Sequence, residues 1–299
     1  MSSAFDYDHF DPFQFGGVLP EPRTFEQSKA VILPVPFERT VSYGAGTRNG
    51  PRELLLASAQ VELWDEEVGC DVHPHGMFTL PEMDLSSLSL DDAMAAIGET
   101  SARLMDAGKF VIALGGEHSI TSPMVAAAAT RVPGLSVLQI DAHADLRDSY
   151  LDERHSHACA MRRTLEHAPA VQVGIRNISE AEVRALPSLK TTIFYDWNMR
   201  NDPQWIDKAV AALSDDVYIT IDLDGLDPGL IPATGTPEPG GLSWRELTSL
   251  LRKTFETRRV VACDVVELCP IPGMHAPNFI AARLVYKLLT YKYGLTPGR

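Results

Sequence analysis

The chain has 299 residues, 45% of them hydrophobic and 22% charged, with a net charge of −14. This is the composition of a soluble globular protein with one large α/β domain or two smaller ones. The acidic balance argues against nucleic-acid binding, which wants a basic face, and fits a small cationic ligand. No apolar run approaches the roughly 18 residues of a membrane span. The opening Met-Ser-Ser-Ala-Phe-Asp does not read as a signal peptide. Cysteines at 70, 159, 263 and 269 lack metal-ligand spacing, and Cys263 lies in an apolar run as a buried thiol would. A cytoplasmic, reduced protein with no membrane or nucleic-acid partner is expected.

Residues 1–28 are rich in Phe, Pro and Asp without a helical period, and read as an arm over the domain or a neighbouring subunit. From residue 29 to 299, short Val- and Ile-rich runs alternate with helical segments. The predicted strands are Ala30–Val35, Phe110–Leu114, Leu135–Ile140, Ala170–Ile175, Thr191–Tyr195, Val217–Ile221 and Val260–Val266. The predicted helices are Pro51–Asp65, Leu90–Ala107, Ser122–Arg131, Ile178–Ala185, Gln204–Leu213, Ser243–Thr257 and Pro277–Thr290. Ser243 with Glu246 three residues on is a capping-box pattern. The strands are continuously apolar, as buried parallel strands are. No linker or repeat divides the chain. The pattern predicts a single three-layer α/β/α domain with a mostly parallel central sheet.

Three polar segments each follow a predicted strand, at the end where open α/β sheets bind ligands. They are Gly115-Gly116-Glu117-His118-Ser119, Asp141-Ala142-His143-Ala144-Asp145 and Asp222-Leu223-Asp224. One such Asp alone is most simply a cap or turn residue. Together the segments bring four carboxylates and two imidazoles into apolar surroundings, which a fold tolerates only if cations neutralise them. Positions 141, 143 and 145 of an extended strand would spread over roughly 13 Å, so the chain turns there or holds more than one ion. His118, Asp141, His143, Asp145, Asp222 and Asp224 are the six candidate ligands. Hard oxygen donors with a minority of imidazole suit Mn²⁺ better than a structural Zn²⁺ site. Asp227, before Pro228, reads as a turn anchor. Tyr43, Trp64 and Trp197 are aromatics at possible entrance positions, read more simply as core.

These segments resemble the three metal-binding motifs of the ureohydrolase (arginase/agmatinase) family. Ser42 to Arg52, Ser156-His157-Ala158, Gly235 to Leu242 and Asp264-Val265-Val266-Glu267 are further matches, so the resemblance runs from about residue 30 to 291. Gly235-Thr236-Pro237-Glu238-Pro239-Gly240-Gly241 is more typical of its agmatinase branch. The resemblance implies an arginase-like fold, a homotrimer or homohexamer, and a centre of two Mn²⁺ ions (Ni²⁺, Co²⁺ or another divalent ion being possible). A water shared by such ions is acidified from about pKa 16 towards 7 and can attack a guanidinium carbon. By the same resemblance His118 serves one metal and His143 the other. Asp145 guides the proton of that water, and His157, rather than His155, shuttles a proton to the departing amine.

Glu267 ends a predicted strand, where a carboxylate can take two hydrogen bonds from a planar guanidinium. The implied reaction is hydrolysis of a linear guanidino compound, with agmatine giving putrescine and urea. Positions that hold the α-carboxylate and α-amino group in arginine-cleaving members are Arg147 and Asn177 here, which argues against arginine. Arg147 would pair with Asp148 or Asp152, or meet an acidic substrate tail. That leaves 4-guanidinobutyrate as an alternative, beside guanidine and formimidoyl-glutamate. A regulatory homologue that has lost activity is the non-enzyme alternative, and a zinc deacylase a further one. The complete ligand set, with His157 and Glu267, argues against both.

Overall fold

Continuous apolar runs become strands buried on both faces, because crossover helices cover both sides of a parallel sheet. The computed structural model describes residues 13–17, 19 and 23–295. In chain order the elements are β1 (Ala30–Val35), α1 (Gly50–Ser58), the strands β2 (Trp64–Asp65) and β3 (Cys70–Asp71), β4 (Met77–Thr79), α2 (Leu90–Asp106), β5 (Phe110–Gly115), α3 (Thr121–Arg131), β6 (Ser136–Ile140), α4 (Ala160–Thr164), β7 (Ala170–Ile175), α5 (Glu180–Ala185), β8 (Thr191–Tyr195), α6 (Asp196–Met199), α7 (Trp205–Ala211), β9 (Asp216–Asp222), α8 (Trp244–Thr257), β10 (Arg259–Val266) and α9 (Ala276–Gly294). Eight strands form one sheet in the order β4-β1-β5-β10-β9-β6-β7-β8. Every pairing in it is parallel.

The alternation of a strand splits the core in two. Phe110, Ile112 and Leu114 of β5 pack with Leu54 of α1, Ala209 of α7, Leu250 of α8 and Leu284 of α9. Val111 and Ala113 pack on the other face with Ile97 of α2 and Met124 and Val125 of α3. Each fully buried Ile or Leu contributes roughly 1.5–3 kcal/mol relative to exposure. The result is the expected single three-layer α/β/α domain. The chain builds β1, β4 and β5, then skips two positions to start β6, β7 and β8. The strands β9 and β10 return last and fill the gap.

Several expected elements differ. The helix expected over Pro51–Asp65 stops at Ser58, and Trp64–Asp65 instead pairs antiparallel with Cys70–Asp71. Asp65 is why: it is buried, its Oδ1 accepts the backbone N–H of Glu67 and Val68, and Lys287 of α9 pairs with it at 2.8 Å. The edge strand β4 and the short helices α4 and α6 were not expected; each is five residues or fewer. Ser243 and Glu246 form the expected capping box, and Ser179 with Glu182 forms another at α5. Cys263 is buried and all four cysteines are free.

Of the expected arm, residues 1–12, 18 and 20–22 lie outside the described residues. Gln14 exchanges two hydrogen bonds with the backbone of Thr79 on the edge strand β4, at 3.0 and 3.1 Å, and Phe15 is buried. No described helix is long and apolar enough to cross a membrane.

Candidate metal centre

Four adjacent central strands deliver the candidate residues at their C-terminal ends. β5 ends at Gly115, and a tight 3-10 turn then presents His118. Asp141, His143 and Asp145 follow β6, Asp222 closes β9 with Asp224 in the next turn, and Glu267 follows β10. The strand ends are level, with Leu114, Val265, Ile221 and Ile140 in one row across the sheet, so the polar segments that follow converge. All six expected ligands come together.

His118 Nδ1 lies 3.1 Å from Asp141, 3.2 Å from Asp145 and 3.4 Å from Asp222. His143 Nδ1 lies 3.0 Å from Asp224 and 3.7 Å from Asp141. Two clusters result, His118 with Asp141 and Asp145, and Asp141 with His143 and Asp224, each with donor atoms within 4.8 Å of one another. Asp141 belongs to both. His118 Nδ1 is buried without a hydrogen-bond partner, a donor atom left for something else. Four carboxylates against two imidazoles fit two divalent cations.

Neighbouring side chains aim these ligands. Thr220 of β9 donates to Asp264 at 2.6 Å, so its oxygen accepts from His118 Nε2–H at 2.9 Å and fixes which nitrogen faces the centre. Asp264, fully buried, also accepts from Tyr218 and Thr121. Gln139 Nε2 donates to Asp141 Oδ2 at 2.6 Å. Ala142 N–H donates to Asp224, and Asp224 N–H to Asp222. Asp145 and Glu267 have φ of 52° and 64°, left-handed values that a side chain adopts only when its surroundings impose them.

The electrostatics follow from burial. Burial alone would lower His118, but the carboxylates of Asp141, Asp145 and Asp222 override it and hold the imidazole well above its usual range. Burial opposes His143 too, and Asp224 and Asp141 raise it to about 12. Asp145 is pushed up to about 6 by burial and by Asp141. Burial and the charge of Glu117 push Glu267 well up.

The centre opens into a cleft lined by Ser42, Asp145, Arg147, Tyr150, His157, Asn177, Glu182, Asp222, Asp224, Thr236 and Glu267 among others. His157 and His155, confusable in sequence, are separated: His155 sits 3.7 Å from Asp91 on the surface. His157 lies edge-on to Tyr150, with Thr40 Oγ1 3.3 Å from Nδ1 and Ser42 Oγ 3.4 Å from Nε2. Burial lowers its pKa, against the opposing charge of Glu117. Glu267 Oε1 accepts the backbone N–H of His118 at 2.7 Å.

Arg147 stacks on Tyr150, 5.0 Å from the ring centroid. Its expected pairing with Asp148 is not formed: Arg163 holds Asp148 at 2.6 Å. Asp227 anchors its turn through Gly229 N–H at 2.7 Å. Tyr43, Trp64 and Trp197 are neither core nor cleft-lining; all three are exposed.

Several working residues lie outside the expected set of site residues. Glu117 is buried and accepts from Arg39 and Thr40 N–H, Thr40 Oγ and Ser119 Oγ. It thereby fixes the loop that meets His157. Thr220 and Asp264 had a readable signal, as polar residues inside apolar strand runs. Thr40, Tyr150 and Glu182 had none.

This arrangement defines a class, metal-dependent hydrolases with a paired cation centre at the C-terminal edge of a parallel α/β sheet. Residues 28–290 match the arginase family model, and the chain belongs to that family of binuclear-metal ureohydrolases, which act on guanidino compounds. It is 39% identical over 277 residues to an N(1)-aminopropylagmatine ureohydrolase of Synechocystis sp., covering 90% of each chain. It is 32% identical over 252 residues to an agmatinase of Bacillus cereus, covering 83% of this chain and 86% of the other. The agmatine ureohydrolase structure of Thermoplasma volcanium matches with a TM-score of 0.83 at 30% identity, covering 91% of this chain and 92% of that one.

Proposed function

We propose that this chain releases urea from a guanidino-amine whose four-carbon chain carries an ammonium, with agmatine giving putrescine. The observation that carries the reading is Asp141, shared by two carboxylate–imidazole clusters on the floor of a cleft walled by Glu267 and His157. N1-aminopropylagmatine, which would leave spermidine, is the second reading; the 39% identity to an enzyme named for it favours it.

His118, Asp141, Asp145, His143, Asp222 and Asp224 would hold two divalent ions, Mn²⁺ being the ion their donor set suits. When bound, such ions acidify water enough to supply a nucleophile near neutral pH. Glu267 receives the guanidinium, whose charge compensates a carboxylate that burial otherwise disfavours, and holds the central carbon over the cluster. Asp145, which lines the cleft beside His157 and Glu267, is placed to pass on the proton of the attacking water. His157, kept neutral at pH 7 by burial, can take up a proton and pass it to the leaving nitrogen.

The test is urea release from agmatine, N1-aminopropylagmatine, arginine and 4-guanidinobutyrate by Mn²⁺-loaded protein. Either or both amines should be cleaved, and arginine at least about 10-fold less well, the cost of one poorly compensated charged group. Urea from none of them, or a preference for arginine or 4-guanidinobutyrate, overturns the reading.

A further inference from the structure

We propose that Glu238 determines specificity by receiving, at its carboxylate, the ammonium four methylenes away from the substrate's guanidine. This rests on the ureohydrolase reading and names what the outer end of the same cleft selects. The segment from Gly235 to Glu238 borders the cleft, reaching it through Thr236 and, by way of Asn177, at Glu238. At one end, a Cβ built on Gly235 would stand 3.9 Å from Glu267 Oε2. Thr236 lines the cleft. At the other end, the half-buried Glu238 accepts a 2.5 Å hydrogen bond from Nδ2 of Asn177, itself a cleft-lining residue. A carboxylate thus stands at each end of the segment. Three residues of extended chain span at most about 10 Å, the scale of a guanidinium joined through four methylenes to an amine.

A group that reads distance must itself be fixed. Arg176 does this for the Glu238 backbone: its Nη2 donates to the carbonyls of Glu238 at 3.0 Å and Asp224 at 2.6 Å, and its Nε to that of Pro239 at 3.1 Å. One guanidinium therefore ties Glu238 to a residue of the metal centre. The neighbouring Asn177 fixes the Glu238 carboxylate, and Gly44 N–H pins the far end by donating to the Gly235 carbonyl at 3.1 Å.

Agmatine ends in a primary ammonium at this position. N1-aminopropylagmatine has a secondary ammonium there and continues outwards. Arginine carries its ammonium on the same fourth carbon but adds a carboxylate there, and 4-guanidinobutyrate brings a carboxylate alone; Glu238 repels both carboxylates. A carboxylate tail would instead seek Arg147.

The experiment compares agmatine with butylguanidine, which has the same four carbons and no amine, in Mn²⁺-loaded wild type and Glu238→Gln. Glutamine keeps an acceptor for Asn177 and removes only the charge. KM for agmatine should rise roughly 10-fold or more in the variant, as loss of a charged hydrogen bond predicts, with kcat within about 3-fold. Butylguanidine kinetics should not change. Equal losses on both substrates would assign Glu238 to holding the loop, and an unchanged agmatine KM would also overturn the proposal.

Binding of putrescine and butylamine to the wild type by calorimetry is the second measurement, and it serves if the variant misfolds. Putrescine should bind at least about 10-fold tighter, and equal affinity overturns the proposal. Wild type that cleaves butylguanidine while either Glu238 test fails leaves the ureohydrolase reading intact. Wild type that releases urea from neither compound nor from N1-aminopropylagmatine refutes that reading, and the putrescine measurement still decides Glu238.

Discussion

His157 touches no candidate metal ligand in the hydrogen-bond network; its ring is held by Thr40, Ser42 and Tyr150. Its removal should therefore lower turnover without emptying the centre. His157→Ala is expected to lose roughly 10²–10⁴ in kcat, the usual worth of a positioned acid–base group, with two Mn²⁺ per chain still found by elemental analysis. His155→Ala, a surface change beside Asp91, should stay within about 2-fold. Full activity in His157→Ala would remove it from the mechanism. The sequence could nominate either histidine, and only the resemblance favoured His157. The physical reason for the choice was not legible, because it lies in Glu117. That carboxylate fixes Thr40, 77 residues away in the chain, and Thr40 holds His157, another 117 away.

The turn after β5 shows how little slack an element has at this site. A Cβ added at Gly116 would stand 1.8 Å from the carbonyl oxygen of Phe37. Gly116 N–H meanwhile donates to Val35 O at 3.1 Å, and Glu117 N–H to Phe37 O at 2.9 Å. The β5 turn is thus laced to β1 and the loop after it by backbone bonds as well as by the Glu117 carboxylate. Gly116→Ala should cost about 3 kcal/mol, the upper range for overpacking. In a chain of this length that lowers Tm by roughly 5 °C, read by calorimetry. An unchanged Tm would show that the loop yields.

The central strands were legible because burial on both faces leaves continuous apolar runs, as in Phe110–Gly115. The strand Met77–Thr79 was not, since three residues carry no period and pairing with β1 alone makes them a strand. The stop of α1 at Ser58 was also invisible, because Asp65 reads as a helix residue until Lys287 arrives from α9. The six ligands were legible for the opposite reason, being charges where strand ends should be quiet.

Charge couples the metal centre to the stability of the whole molecule. In metal-free protein His143 is raised to about 12, so its contribution is complete below its unfolded value near 6.5 and is lost as pH rises towards 12. Asp145, raised to about 6, also carries a proton in mildly acidic solution. Metal ions must displace these protons. Affinity for Mn²⁺ is therefore expected to rise between pH 6 and 8, with protons released on binding. The Tm gap between metal-loaded and chelator-treated protein should widen over the same range. Calorimetry in two buffers of different ionisation enthalpy counts the protons; no net release would contradict the linkage.

The late return of β9 and β10 bears on how the protein is made. A nascent chain that has emerged only as far as β8 owns His118, Asp141, His143 and Asp145, but not Asp222, Asp224 or Glu267. Its two half-sheets expose the unpaired edges of β5 and β6, the strands that β10 and β9 later cover. At ordinary ribosome speeds the remaining stretch takes on the order of 10 s to appear, a window for chaperone capture. A prematurely terminated polypeptide thus lacks Asp222, Asp224 and Glu267 and is left with two sticky edges that quality control can recognise.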